Sequence, residues 1–193
     1  MPFVREIVPA GDVRAGIWHI TEPHEELLDL VRLTEAETVL YGSFRHELRK
    51  KQWLACRALV NRFLYPASPA ISYDPNGKPF LISGSHHLSV SHAGDYAAAV
   101  FSRTGAVGID IEKIGERIER VKERFLFEGE IASLCPEYRL EQLYIYWCGK
   151  EALYKLNGRA DLDFRNDIRI HPIPYLCEPG LTGKATLMVD GSA

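Results

Sequence analysis

The sequence predicts an α+β fold made of two halves, residues 1–104 and 105–193. Segments with apolar residues at helical spacing and short strand-like runs follow one another along the whole chain, so each half contains both kinds of element. No linker rich in proline, glycine or serine divides the sequence. A chain of 193 residues is long enough for one large domain or for two small halves that share a core.

The composition is that of a soluble globular protein, with 46% apolar and 25% charged residues. A net charge of -3 gives no general attraction to nucleic acid or to an anionic membrane, so any anion site has to be a local basic cluster. No apolar run reaches transmembrane length, and the N-terminus lacks the apolar core of a signal peptide. The widely spaced cysteines indicate reduced thiols and thus a cytoplasmic protein.

The first half is predicted to begin with a strand at 15–20 and a helix at 27–31. The sequence Thr-Glu-Ala-Glu at 34–37 has the capping-box pattern, which predicts that a second helix starts there. Residues 44–65 form a basic amphipathic segment whose apolar stripe is typical of a long helix packed on a core. The run Asp-Pro-Asn-Gly at 74–77 is a turn by its own chemistry.

Strands and helices continue to the end of the chain. A strand at 88–92 leads into an apolar run at 97–101 that is typical of a buried strand. The second half is predicted to contain a strand at 107–112, a charged helix at 116–134, a helix at 141–156 ended by Asn157-Gly158, and strands at 167–171 and 184–189.

Two patterns in the second half carry chemistry. In a strand at 107–112, Asp110 and Glu112 point to the same side, where two carboxylates repel each other unless a positive group lies between them. Glu151 and Lys155 share one face of the helix predicted at 141–156. A third carboxylate from that helix would complete an all-oxygen site suited to Mg²⁺. Either pattern alone also fits a solvated strand face or an ordinary surface ion pair.

Together, the two patterns match one family. Gly-Ile-Asp-Ile-Glu at 108–112 and Trp-Cys-Gly-Lys-Glu-Ala-Leu-Tyr-Lys at 147–155 resemble the G-[IV]-D-[IV]-E and W-x-x-K-E-[AS]-x-x-K motifs of the 4′-phosphopantetheinyl transferases of the surfactin-synthetase-activating (Sfp-like) type. Three upstream stretches are similar to further motifs of the family: the Arg/Lys-rich run at 49–59, Gly-Lys-Pro at 77–79 and Ser-Val-Ser-His at 89–92. All of these motifs stand in the family's order.

The resemblance implies a fold in which the two halves pack as pseudo-twofold partners within one monomeric chain, with coenzyme A in the cleft between them. The implied enzyme transfers 4′-phosphopantetheine from coenzyme A to a serine of an apo acyl or peptidyl carrier protein. It releases adenosine 3′,5′-bisphosphate, depends on Mg²⁺ and acts as a holo-[acyl-carrier-protein] synthase. Fatty-acid, polyketide and peptide synthases all remain open as the source of the carrier.

The resemblance also implies roles for individual residues. Asp110, Glu112 and Glu151 are the expected Mg²⁺ ligands, and Glu151 and Lys155 are the expected catalytic residues. Two roles stay open for Glu151, because a carboxylate that binds a metal is a poorer base: it is a metal ligand alone, or it also accepts the serine proton, directly or through a metal-bound water. Lys155 is expected to stabilise or protonate the leaving group.

Coenzyme A is expected to contact a set of mostly basic residues spread along the chain. The members of this set are Arg49, Lys50, Arg57, Lys78, Ser91, His92 and Lys150. Lys150 is expected to add a cation at the pyrophosphate. His92 is expected to depend on pH as a phosphate ligand, because a histidine changes its charge near neutrality.

Two rival functions would use the same residues. A Mg²⁺-dependent hydrolase of a nucleotide pyrophosphate would take water as its nucleophile and turn over without a protein acceptor. A catalytically silent relative that binds carrier protein would be favoured by a lost carboxylate or lysine, and Asp110, Glu112, Glu151 and Lys155 are all present. One departure from the family pattern is Ala160, which stands where many relatives carry a second glycine.

Overall fold

The computed structural model describes residues 3–9, 11–67, 69–158, 161–172 and 182–188. The first half contains β1 (Phe3–Ile7), β2 (Arg14–His19), α1 (His24–Asp29), α2 (Glu35–Ser43), α3 (Glu47–Leu64), β3 (Ile71–Tyr73), β4 (Pro79–Leu81), β5 (His87–Ala93) and β6 (Tyr96–Ser102). The second half contains a 3-10 helix (Glu116–Arg120), α4 (Lys122–Phe125), α5 (Glu128–Ala132), another 3-10 helix (Pro136–Tyr138), α6 (Arg139–Asn157), β7 (Ile168–Ile170) and β8 (Ala185–Leu187). The described fold is therefore α+β, as predicted.

A four-stranded antiparallel sheet forms the centre of the first half, in the spatial order β1-β2-β6-β5. Helix α3 packs on this sheet and buries Leu54, Leu59 and Val60 completely. Because both the helix stripe and the alternating strand residues are apolar, they close into one core. β5 lies at one edge of the sheet, where it can face the second half.

The second half is built around α6, which buries Leu143 and Tyr146 against Phe125, Leu126 and other apolar side chains. The helix ends at Gly158, whose φ of 74° places it in the left-handed region that favours glycine. This fixed end point matters for the site, because the last two turns of α6 carry Glu151 and Lys155.

Several predicted elements are confirmed. The helix starting at residue 34 has its capping box, with Thr34 and Glu37 bonded reciprocally through side chain and backbone. The Asp74–Gly77 turn joins β3 to β4, and Gly77 takes a φ of 81°. Strand β1 had not been predicted, because its sequence Phe-Val-Arg-Glu-Ile does not alternate between apolar and polar residues.

Two predictions about the second half are wrong. The charged helix at 116–134 is instead three short helices, with an extended residue at Leu126. Leu126 ends α4 with extended backbone (φ -92°, ψ 136°), and the chain changes direction there while Phe125 and Leu126 both stay buried in the second-half core. Residues 107–112 are extended but belong to no described strand, because their backbone pairs with side chains rather than with a neighbouring strand.

The division into halves at residue 104 and their pseudo-twofold relation stay predictions. Within the described ranges, the second half contributes the two-stranded sheet β7-β8, while the four-stranded sheet belongs to the first half. The same ranges contain no helix that is both long and apolar enough to cross a membrane.

Candidate active site

A cleft of about 460 Å³ opens between β5, the extended segment 107–112 and helix α6, with α3 and the Gly77 turn at one end. Most of the residues predicted to take part in binding or catalysis line it: Arg49, Arg57, Lys78, Ser91, His92, Asp110, Glu112, Glu151 and Lys155. The cleft therefore has an acidic end on the second half and a basic end on the first half.

Asp110 lies at the centre of the acidic end, with a side chain that is only 5% exposed. Its Oδ1 accepts a hydrogen bond from Lys155 Nζ at 2.7 Å and another from Ser91 Oγ at 2.7 Å. Its Oδ2 is buried and has no hydrogen-bond partner within the described residues. A buried carboxylate oxygen without a partner is costly unless a cation or ordered water completes it.

The extended segment reaches α6 because residue 108 is glycine. A Cβ on Gly108 would lie 1.8 Å from the backbone oxygen of Ala152. The two backbones therefore approach more closely than any other residue permits. The approach brings the carbonyl oxygen of Ile109 within 3.2 Å of Lys155 Nζ.

Glu112 and Glu151 complete the acidic end. Glu112 is exposed and accepts a hydrogen bond from Trp147 Nε1 at 3.3 Å. Burial raises the pKa of Glu151, and the negative charge of Asp110 raises it further. Glu151 and Asp110 therefore lie close enough for their negative charges to repel each other, and a bound cation would reduce this repulsion.

The donor set suits a hard divalent cation, because it consists of carboxylates in one cleft and includes the unpartnered Oδ2 of Asp110. In the described part of the chain, no three His, Cys, Asp or Glu side chains are gathered closely enough to hold an ion by themselves. The residues thus fit Mg²⁺ in their chemistry, and an ion that keeps several waters needs few direct protein ligands.

At the basic end, Arg49 contacts His92 and lies over the ring of Phe44 at 5.2 Å. Burial lowers the pKa of His92 to about 4, helped by the charges of Arg49 and Lys155. The expectation that His92 changes its charge near neutrality is therefore wrong for this structure, in which the imidazole is neutral at pH 7. Its role as a phosphate ligand stays a prediction.

Arg57 and Lys78 are held firmly at the edge of the cleft. Arg57 is buried, pairs with Glu37 at 3.1 Å and lies over the ring of Trp53. Lys78 Nζ donates to the carbonyl oxygen of Leu156 at 2.8 Å and so ties the 74–78 turn to the end of α6. Both cations face the cleft, but each already has a protein partner.

Lys150 does not belong to this site, so its assignment to coenzyme A is wrong. Its side chain is fully buried, and Nζ donates to Glu130 at 2.7 Å and to the carbonyl oxygens of Phe125, Phe164 and Ile168. A cation with four internal acceptors and no exposed surface is not available to a ligand. Lys150 instead ties α6 to α5 and to the segment leading into β7.

Lys50 is also placed away from the cleft. Its Nζ pairs with Glu47 at 3.0 Å on the same helix and lies near the ring of Tyr41. Lys50 and Arg49 are neighbours in sequence, but a helix turns successive side chains by about 100°. The structure therefore brings Arg49, and not Lys50, to the site.

Two contributors to the site were not predicted. Ser89 accepts the backbone amide of Ile109 at 3.2 Å, and Trp147 orients Glu112. Trp147 and Ser89 both stand inside the recognised motifs, but the motifs do not reveal which group each side chain contacts. Ala160 lies outside the described residues.

Comparison with known proteins gives an indication of the family that is independent of the geometry of the cleft. Residues 106–175 match the model of the 4′-phosphopantetheinyl transferase superfamily. This segment of the chain is similar to these transferases. The matched segment contains Asp110, Glu112, Glu151 and Lys155, whereas the basic end of the cleft lies outside it.

Curated relatives point to the same family. The chain is 36% identical over 116 residues to the 4′-phosphopantetheinyl transferase AcpT of Escherichia coli (strain K12), a stretch that covers 57% of this chain and 59% of that protein. It is 37% identical over 117 residues to the AcpT of Salmonella typhimurium, covering 58% and 60%. The 4′-phosphopantetheinyl transferase ffp of Bacillus subtilis is 30% identical over 77 residues, covering 38% and 34%. The matches thus span about three fifths of the AcpT proteins, and the Sfp-like subtype stays a prediction.

Proposed function

We propose that this protein transfers 4′-phosphopantetheine from coenzyme A to a serine of an apo acyl or peptidyl carrier protein, releasing adenosine 3′,5′-bisphosphate. The observation that carries the proposal is the cleft itself, where Asp110, Glu151 and Lys155 face Arg49 and His92. A pyrophosphate linked to a nucleotide would use both ends of this cleft. The acidic end would supply carboxylates and a cation at the reacting phosphorus, and the basic end would supply positive groups along the nucleotide.

The acidic end supplies the metal site of the proposal. Asp110, Glu112 and Glu151 are the residues that would hold Mg²⁺. The ion would supply charge neutralisation at the pyrophosphate and make the attacked phosphorus more electrophilic. The unpartnered Asp110 Oδ2 and the opposed charges of Asp110 and Glu151 support this assignment.

The reaction is a displacement at the phosphorus that carries the pantetheine arm. The serine oxygen forms a bond to this phosphorus, and the bond from phosphorus to the bridging oxygen breaks, so the electron pair leaves with adenosine 3′,5′-bisphosphate. Glu151 accepts the serine proton, directly or through a metal-bound water. Lys155, with its ammonium in the same cleft, stabilises the charge that develops on the leaving oxygen.

The basic end holds the nucleotide of coenzyme A. Arg49, Lys78 and the largely buried Arg57 all line the cleft at this end. His92 is neutral there and acts as a hydrogen-bonding group rather than as a charge. Binding a substrate phosphate would draw on Arg49 in particular, since Arg49 contacts the imidazole of His92, whereas Arg57 is paired with a carboxylate and Lys78 with a backbone carbonyl oxygen.

The experiment that tests the proposal is intact-protein mass spectrometry of an apo carrier protein incubated with this protein, coenzyme A and Mg²⁺. A gain of one phosphopantetheine mass that disappears with a chelator is expected. The matched control is the same carrier with its acceptor serine changed to alanine, which should gain nothing. Hydrolysis of coenzyme A without transfer to any fatty-acid, polyketide or peptide-synthase carrier would contradict the proposal and favour a hydrolase. Neither transfer nor hydrolysis, with carrier protein bound, would favour a silent relative.

A further inference from the structure

Two serines on β5 connect this strand to the extended segment 107–112. Ser89 Oγ accepts the amide of Ile109 at 3.2 Å, and Ser91 Oγ accepts the amide of Ile111 at 3.4 Å. Both side chains are buried, and alternate residues of a strand point to the same side. The two hydroxyls therefore act as substitutes for the ladder partners that the segment lacks.

Ser91 makes two further contacts that Ser89 does not make among the described residues. Its hydroxyl donates to Asp110 Oδ1 at 2.7 Å and accepts from Lys155 Nζ at 3.1 Å. A serine hydroxyl has one proton and two lone pairs, and here all three are used. Ser91 therefore has no proton left for a phosphate unless it releases Asp110.

We infer that Ser91 is a positioning residue, whose hydroxyl fixes Asp110 and Lys155 relative to each other so that Asp110 Oδ2 is presented to a divalent cation. This inference rests on the metal site of the proposed function. The role differs from direct contact with coenzyme A, which the motif resemblance implies for this serine.

The physical basis is the number of groups that hold the carboxylate. Asp110 Oδ1 has two donors, Ser91 and Lys155, and these also contact each other. A closed set of three hydrogen bonds restricts rotation of the carboxylate, which leaves Oδ2 as the free oxygen. Removing a hydrogen bond that orients a metal ligand typically weakens metal affinity by about 10-fold to 100-fold.

The test compares Ser91→Ala with Ser89→Ala by isothermal titration of Mn²⁺ into the whole chain. Each variant loses one bond to the backbone of segment 107–112, but only Ser91→Ala loses the contacts to Asp110 and Lys155. We expect Ser91→Ala to weaken Mn²⁺ binding by about 10-fold and Ser89→Ala by less than about twofold. Asp110→Asn, which removes the ligand itself, identifies the titrated site.

Equal losses in the two variants, or wild-type affinity in Ser91→Ala, would overturn the inference. Absence of Mn²⁺ binding by the wild-type protein would reject the metal site of the proposed function instead. In that case, unfolding experiments on paired variants still decide the role of Ser91. The effects of Ser91→Ala and Asp110→Asn on the free energy of unfolding should then be non-additive. The effects of Ser89→Ala and Asp110→Asn should be additive. Additivity in both pairs would reject the inference.

Discussion

Lys155 donates a hydrogen bond from Nζ to Asp110 Oδ1 at 2.7 Å, and this contact joins helix α6 to the extended segment 107–112. The lysine also donates to Ser91 Oγ and to the carbonyl oxygen of Ile109, so each of its three ammonium protons has an acceptor. Asp110 is 5% exposed and Lys155 is 29% exposed. The pair therefore provides a fixed positive charge beside the buried carboxylate, at the point where a pyrophosphate would enter.

Replacing Asp110 by asparagine should abolish metal-dependent transfer while the fold is kept. Asparagine has nearly the same volume and retains an oxygen for Ser91, but it loses the negative charge that a cation needs. We expect transfer to fall by at least about 100-fold, measured by mass gain of the carrier, with an unchanged circular dichroism spectrum. Asp95→Asn is the matched control, because Asp95 is 56% exposed and pairs with the exposed Lys113. Full activity of the Asp110→Asn protein would show that Asp110 is not a metal ligand.

Replacing Lys155 by methionine should slow transfer much more than it weakens coenzyme A binding. The lysine is proposed to act on charge that develops on the leaving oxygen, so its loss affects the transition state more than the bound substrate. We expect kcat to fall by about 100-fold and the affinity for coenzyme A to change by less than about threefold. Lys113→Met, which removes an exposed cation, serves as the control. Equal losses in both quantities would assign Lys155 a binding role.

Replacing Lys150 by methionine should destabilise the protein rather than remove a ligand contact. The substitution leaves Glu130 buried without its cation, and breaking a buried ion pair from one side costs about 3–5 kcal/mol in the free energy of unfolding. Chemical denaturation measures this loss. The double variant Lys150→Met/Glu130→Gln should recover part of it, because no buried charge remains. A Lys150→Met protein with wild-type stability and weaker coenzyme A binding would instead support the prediction that Lys150 contacts coenzyme A.

The contrast between Lys150 and its neighbour Glu151 shows what the sequence could predict. Both residues lie in one motif, and helical periodicity correctly placed Glu151 and Lys155 on one face. The partner of Lys150 is Glu130, on another helix, and no local pattern connects the two. The periodicity predicts which residues share a face of α6, but not which face meets the cleft and which the core.

The extended segment 107–112 shows that alternation, too, predicts which residues share a side but not which groups they contact. Alternation correctly predicted that Asp110 and Glu112 would face the same cleft. It did not predict that Ser89 and Ser91 would replace a strand partner, because a hydroxyl that accepts an amide leaves no periodic signal in the segment itself. Local chemistry was sufficient for the capping box at Thr34, whose bonds all lie within one turn.

The stability of the protein should depend on pH through His92. Its pKa is lowered from 6.5 to about 4 in the folded protein, so the unfolded chain binds the additional proton between these values. The free energy of unfolding should therefore fall as the pH drops from about 6.5 to about 4, by an amount on the order of 2 kcal/mol. Denaturation curves of the wild type and His92→Gln across this range isolate the contribution. Identical pH profiles for the two proteins would show that His92 is not held neutral.

Replacing Gly108 by alanine should separate the extended segment from α6 and disable the site. The added Cβ would lie 1.8 Å from the Ala152 oxygen and 2.9 Å from the Leu156 nitrogen, and neither backbone atom can move without displacing the helix. We expect the free energy of unfolding to fall by about 1–3 kcal/mol. The rate of transfer should fall by a larger fraction, since Lys155 would lose its contact with the carbonyl oxygen of Ile109. Gly42→Ala is the control, because Gly42 lies in α2 with nothing near its Cβ position and alanine favours helix there. A Gly108→Ala protein with wild-type stability and transfer would mean that the approach of the two backbones is not required for catalysis.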